Sequence, residues 1–304
     1  MLMADSPPLR SLRSLLFAPG NRARMLEKVG TFGADAVVID LEDAVPIAEK
    51  EATRATVREA LETYRWPCAF VRVNTIDAKT VYSKPFGPAD IAAVVCPWLT
   101  GVMVPKIESP HEVQAADAAL AEAERKAGLP VGSIELIPLL ESALGVTRAY
   151  ELAGVSPRIR RISFGAGDFT TDLGVPWTSD GTAYFVARSL VVIAARANRR
   201  EALDTVFADI KDLAGLERDA RLGRSLGCKG KVCIHPTQVA VVNAVFTPSA
   251  EELAEARRFV EAFDAATRAG QASIMIDGIL VDYANAERYR RLVATAAPAD
   301  SPGP

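Results

Sequence analysis

The 304-residue sequence predicts a (β/α)8 barrel, the TIM-barrel form of the α/β class, on three observations. Short β-rich runs recur along the chain, and an amphipathic helical pattern follows most of them. Several runs are apolar without alternation, as strands of a parallel sheet covered on both faces should be. The recurrence is also regular. Between Phe17 and Ile234 the seven intervals average about 31 residues, close to the unit that a barrel of about 250 residues and eight repeats requires.

The runs are 13–17, 36–40, 69–73, 102–104, 134–139, 161–164, 205–207 and 231–234. Val37-Val38-Ile39 and Val102-Met103-Val104 are the clearest non-alternating cases. Between them, 49–64, 110–126 and 214–226 carry good helix formers at helical spacing. Gly227 closes the last of these, where a left-handed residue commonly ends a helix. The apolar stretch 183–195 runs too long for a strand and reads as a helix, which leaves 205–207 as the seventh strand. Past Ile234 come helical segments at 236–245 and 249–269, a short hydrophobic piece at 272–281 and an amphipathic stretch at 285–294. This tail exceeds what closing a barrel needs. The expected organisation is a catalytic barrel over 1–245, a C-terminal helical extension and lid over 246–296, and a disordered Pro- and Ala-rich tail over 297–304.

A formal net charge of −3 and a pI near 5.6 exclude a strong global pull toward nucleic acid or anionic lipid, while leaving room for a local basic patch. No apolar run approaches the roughly 18 residues of a membrane span. Leu15-Leu16-Phe17 before Pro19-Gly20 is too short for a signal-peptide core. Cys68, Cys96, Cys228 and Cys233 lack metal or redox spacing and read as free thiols, so the expected compartment is the cytoplasm.

In such barrels the active site lies at the C-terminal ends of the strands. Polar groups stand at five of those ends: Asp40, Glu42 and Asp43; Arg72 and Asn74; Lys106 and Glu108; Glu141; and Asp168. Glu141 and Asp168 lie 27 residues apart, which places them on adjacent strand tips, with Gly165-Ala166-Gly167 clearing space. Two carboxylates with room for water suit Mg²⁺. The only histidines, His111 and His235, form no cluster that would favour zinc. A single glutamate after a strand can equally be a helix N-terminal charge; the pair carries the argument. Arg72 interrupts the apolar Phe70-Val71-Arg72-Val73 and must be paired. It either forms a structural ion pair with Asp40, Glu42 or Asp43, or points into the mouth to bind a carboxylate or oxyanion. His235 could act as a general base by position, pack beside a ligand, or cap a helix.

The motifs behind these readings are Arg13-Ser-Leu-Leu-Phe-Ala-Pro-Gly20, Asp40-Leu-Glu-Asp-Ala44, Arg72-Val-Asn74, Pro105-Lys106, Pro138-Leu-Leu-Glu-Ser142, Phe164-Gly-Ala-Gly-Asp-Phe169 and Ile234-His-Pro236. In this order they resemble the citrate lyase beta-subunit-like proteins and malyl-CoA lyases of the HpcH/HpaI aldolase superfamily. The resemblance implies an Mg²⁺-dependent lyase that makes or breaks a carbon–carbon bond between an acyl-CoA and a 2-keto acid. It implies that Glu141 and Asp168 hold the metal and that Arg72 and Glu141 contact substrate, with Asp40, Glu42, Asp43 and Lys106 in support. It further implies a coenzyme A site at Phe17, Pro19, Ile234 and His235. Arg24 and Lys28, at i and i+4, would meet the nucleotide phosphates there, although a solvated basic helix face would look the same. At the C-terminus, Asp277-Gly-Ile-Leu-Val-Asp282 is similar to the stretch whose last aspartate reaches a neighbouring subunit's site as catalytic acid or base. Asp282 takes that part and Asp277 is its rival. A homo-oligomer, trimer or dimer of trimers, follows. The same residue set would also serve a malate-synthase-like enzyme, a thioesterase, or the beta subunit of a citrate lyase complex.

Overall fold

Eight parallel strands pair in sequence order and close into a barrel, β8 lying beside β1. They are β1 (Ser14–Pro19), β2 (Ala36–Asp40), β3 (Ala69–Arg72), β4 (Gly101–Val104), β5 (Glu135–Leu140), β6 (Arg161–Phe164), β7 (Glu201–Asp204) and β8 (Gly230–Cys233). The non-alternating runs have the cause anticipated for them. Val38, Phe70 and Met103 fill the barrel interior with Leu15, Ile137 and Leu203. Their neighbours Val37, Ile39 and Val71 pack outward into a second core beneath the helices. Both faces of these non-alternating runs are dry, so both are apolar.

The helices are α1 (Ala23–Val29), α2 (Lys50–Tyr64), α3 (Gly87–Val94), α4 (Pro110–Lys126), α5 (Ala143–Thr147), α6 (Ala149–Ala153), α7 (Ala166–Leu173), α8 (Phe185–Ala197), α9 (Leu213–Leu226) and α10 (Pro236–Phe246). Local chemistry sets their ends. Ser109 and Glu112 form a reciprocal capping box at the start of α4, with Pro110 in its first turn. Gly227 ends α9 at φ +114°, a conformation that L side chains rarely adopt.

The seventh strand is a correction: it is Glu201–Asp204, not 205–207. Asp204 faces the helices in full burial, where Arg188 Nε of α8 donates to its Oδ1 at 2.6 Å and Lys231 Nζ of β8 to its Oδ2 at 2.9 Å. Arg188 and Lys231 also bond Asp219 of α9, so two buried cations and two buried carboxylates balance. A strand carrying such a charge is invisible to an apolar count. Thr205-Val206-Phe207 has the better β composition but leaves the ladder; Thr205 Oγ1 accepts the Ala166 N–H at 2.8 Å.

This computed structural model describes residues 9–79 and 84–295, which fall into two compact units, one of Ser11–Phe246 and the other of residues 247–295 with residues 9 and 10. The expected tail at 297–304 lies outside the described residues. The C-terminal unit holds α11 (Ala250–Arg268), β9 (Ser273–Ile276), β10 (Ile279–Asp282) and α12 (Tyr283–Thr295) around a small core of Phe259, Phe263, Val281, Ala286 and Tyr289. The hydrophobic piece read as one segment is therefore an antiparallel hairpin. Asp277 (φ +51°) and Gly278 (φ +78°) make its two-residue turn, the Asp-Gly pairing such turns favour. Met275 and Leu280 face each other across it, 63% and 53% exposed. Among the described residues, no helix is long and apolar enough to cross a membrane.

Candidate active site

The register of β2 on β3 sets Asp40 beside Arg72. Arg72 Nε and Nη2 donate to the two carboxylate oxygens at 2.7 and 2.6 Å, a bidentate pair. Asp40 also accepts the N–H groups of Glu42 and Ala44 at 2.9 and 3.0 Å. Burial pushes its carboxyl up, but the Arg72 charge and these bonds outweigh burial and hold it below the usual carboxylate range. The third arm, Nη1, lies 3.0 Å from Glu42 Oε2 and 3.5 Å from Asp43 Oδ2. The Phe17 ring sits 5.1 Å from the guanidinium carbon. Arg72 is thus locked in ion pairs and at the same time lines the barrel-mouth cavity.

Past β4, Lys106 adopts φ +55°, a left-handed conformation uncommon outside glycine. Its backbone N–H donates to Glu141 Oε1 at 3.0 Å, and its ammonium bonds Glu42 Oε1. Glu141 follows the last residue of β5 and is buried. Gly165 leaves it room, since a Cβ there would fall 2.6 Å from Glu141 Oε2. Burial, then the negative charges of Glu42 and Asp168, hold the Glu141 carboxyl well above its ordinary value, against Lys106 and Arg72. Burial also raises Glu42, to about 7. Asp168 stands in the first turn of α7 with its side chain 41% exposed, 3.6 Å from Lys106 Nζ.

A cavity of about 210 Å³ joins these groups; Arg72, Glu141 and Asp168 line it together with Phe17, Trp177 and Ile234. Five carboxylates (Asp40, Glu42, Asp43, Glu141, Asp168) crowd around two cations, Arg72 and Lys106. Arg72 Nη1 approaches Glu42 Oε2 off the hydrogen-bonding direction, and that buried oxygen has no hydrogen-bond donor among the described residues. Excess negative charge, an orphaned buried oxygen and two carboxylates bordering one cavity fit a hard divalent cation that keeps several waters. A closed, all-protein metal cage is a different matter: among the described residues no three His, Cys, Asp or Glu side chains are placed to form one.

The barrel's other sequence candidates do not line this cavity. Asn74 is buried beneath it, accepting from Lys50 Nζ at 2.6 Å and donating to Asp90. Glu108 pairs with Lys79, and His111 stands 3.8 Å from Asp77 at the surface. His235 spends Nδ1 on the Thr237 hydroxyl, 2.8 Å away at the start of α10, and does not border the cavity. Pro19 ends β1, half-buried, and Arg24 and Lys28 lie on the exposed face of α1, opposite buried Leu26 and Val29. In the C-terminal unit, Asp282 Oδ1 accepts the Asn285 N–H at 2.9 Å, while Asp277 pairs with Arg258. Three residues escaped the sequence reading. Lys50 is buried against the carbonyls of Leu41 and Glu42. Ser163 Oγ is buried in the cavity wall without a hydrogen-bond partner among the described residues. Trp177 lies over Gly167. Of these, only Trp177 offered a local hint, as an aromatic in a Gly- and Pro-bounded loop.

A closed parallel barrel with its ionisable groups gathered at the C-terminal ends of β2 to β6, about one cavity, defines a (β/α)8-barrel enzyme. The family model for HpcH/HpaI aldolase/citrate lyase matches residues 13–236. The citrate lyase subunit beta of Leuconostoc mesenteroides subsp. cremoris is 36% identical over 289 residues, 94% of each chain. The L-malyl-CoA/beta-methylmalyl-CoA lyase of Cereibacter sphaeroides is 34% identical over 311 residues, 95% of this chain and 96% of its own. Among solved structures, protein CitE of Mycobacterium tuberculosis in complex with magnesium, acetoacetate and coenzyme A matches with a TM-score of 0.73 at 31% identity, covering 94% of this chain and 98% of that one. The chain belongs to the HpcH/HpaI aldolase/citrate lyase family, a family of carbon–carbon lyases.

Proposed function

We propose that the chain is an Mg²⁺-dependent CoA-ester lyase that cleaves or forms the bond between an acyl-CoA and a 2-keto acid. The observation that carries this reading is the meeting of Glu141, Asp168 and Arg72 in one cavity at the barrel mouth. Glu141 and Asp168 would hold the ion. When bound, Mg²⁺ would supply a Lewis acid and a template for the oxygens of the keto acid. Arg72, held at two of its nitrogens by Asp40, would meet the keto-acid oxygen that loses negative charge as the bond breaks and gains it as the bond forms. Asp282 of a neighbouring subunit protonates the acyl-CoA enolate, or removes that proton in condensation. Phe17, Pro19, Arg24, Lys28, Ile234 and His235 form the coenzyme A site, where remote binding orients the reacting carbon. The protein is an obligate homo-oligomer, a trimer or dimer of trimers, and its four cysteines, all free and buried, accord with the cytoplasm.

The test is a panel of acyl-CoA and 2-keto acid pairs incubated with the purified chain and Mg²⁺ and read by mass spectrometry. The expected result is a 3-hydroxyacyl-CoA product whose formation stops with a chelator and resumes with Mg²⁺. Coupled release of free thiol would mark a malate-synthase-like enzyme or thioesterase instead. Inactivity on free CoA esters, with activity on a carrier-protein thioester, would mark a citrate lyase subunit.

The oligomeric part has its own check. Inactive Asp282→Asn protein mixed with inactive Asp168→Asn protein should regain part of the wild-type rate, because some mixed sites receive both intact residues. No recovery after demonstrated subunit exchange would confine Asp282 to its own chain or remove it from the chemistry.

A further inference from the structure

One cation in the acidic mouth is shared among several carboxylates. Lys106 Nζ bonds Glu42 Oε1 and stands 3.6 Å from both Asp43 Oδ1 and Asp168 Oδ2. The backbone N–H of the same residue holds Glu141 Oε1. A single residue therefore addresses both carboxylates assigned to the ion, one through its amide and one through its ammonium. The left-handed backbone at Lys106 sets the direction of its side chain relative to that N–H, so that the two reach different carboxylates. Strain of this kind persists only where its surroundings hold it.

We propose that Lys106 is the built-in counter-ion of the divalent-cation site. In the metal-free protein its ammonium takes the ion's electrostatic place, drawing Asp168 and Glu42 together; when the ion enters, it withdraws toward Glu42 and Asp43. The inference rests on the Mg²⁺ reading above. Two cations cannot both be centred on Asp168, and the doubly charged one has the larger attraction. The lysine has a flexible four-carbon stem, rotatable donors and a side chain 27% exposed, so it can yield. Glu42 and Asp43 are already within its reach, which gives it somewhere to go. Lys106 acts here as a positioning residue, through the carboxylates.

Binding of Mg²⁺ to metal-free protein without substrate, measured by calorimetry, tests this, together with thermal unfolding. Lys106→Met keeps the N–H to Glu141 and removes the charge. It should bind Mg²⁺ on the order of tenfold more tightly than wild type, because a competing like charge is gone. Its metal-free form should melt lower, and Mg²⁺ should raise its Tm by more than it raises the wild-type Tm. Lys106→Gln should follow Lys106→Met, and Lys106→Arg, which restores the charge, should return toward wild-type affinity. Unchanged or weaker Mg²⁺ binding by a folded neutral variant overturns the counter-ion role. If the wild type binds Mg²⁺ and Asp168→Asn does not, that failure leaves the metal assignment standing. If the wild type itself binds no Mg²⁺, the metal assignment and the Lys106 role fall together.

Discussion

Glu141→Gln and Asp168→Asn should each reduce turnover by about 10³-fold or more while leaving the barrel folded. A metal acting as Lewis acid contributes several kcal/mol to the transition state, and every 1.4 kcal/mol or so is a factor of ten. Neither amide can hold the ion as a carboxylate does. The effect on stability should run opposite for Glu141. Burial, with the charges of Glu42 and Asp168, holds its carboxyl well above the ordinary value. Such a group is ionised at a cost that unfolding relieves. That cost is absent below the usual carboxylate range and grows as pH rises through the raised value. A neutral glutamine removes it, and its amide oxygen can still accept the Lys106 N–H. Metal-free Glu141→Gln should therefore melt at or above the wild-type temperature at neutral pH, as expected where a site trades stability for function. Calorimetric melting beside steady-state rates with Mg²⁺ checks both halves. Near wild-type activity in either variant would remove it from the metal site.

Arg72→Lys should lower kcat by about 10²-fold, the scale of losing one preorganised donor to a developing oxyanion. Charge is conserved in this exchange, so the effect isolates geometry. Arg72 spends Nε and Nη2 on Asp40 and keeps Nη1 toward Glu42 and Asp43. A lysine ammonium is a point charge on a flexible stem and cannot clamp Asp40 in a bidentate pair while meeting a substrate oxygen. Some stability should also be lost, because Asp40 is buried and depends on that pair. The decisive quantity is the rate per folded molecule. If it stays at the wild-type value while Tm falls, Arg72 is structural only.

These two predictions were already visible in the linear sequence, because strand ends are local events. An apolar run such as Val37-Val38-Ile39 reports burial on both faces wherever it occurs, and the first charged residue beyond it marks the barrel mouth. Asp40, Lys106 and Glu141 could be located in that way, and Arg72 as a charge inside an apolar run, since β-structure and its termination depend on near neighbours in the chain. Asp168 followed as the charge after the sixth run, with glycines clearing space before it, and Gly165 does face Glu141 at a distance that admits no side chain.

The sequence by itself determined the repeating strand–helix unit, the closed barrel it implies and the residue types at the barrel's mouth. Tertiary structure alone decided what those residues do to each other. The seventh strand lies where Arg188 and Lys231 neutralise Asp204, and those partners are 16 and 27 positions away along the chain. Lys50 fills the space beneath the mouth because Leu41, Glu42 and Asn74 present oxygens to it from two different strand ends. Lys106 serves two carboxylates at once because a left-handed turn aims its amide one way and its ammonium another. Periodicity reports how a residue meets solvent. A buried charge is placed by its partners, and only folding brings them together.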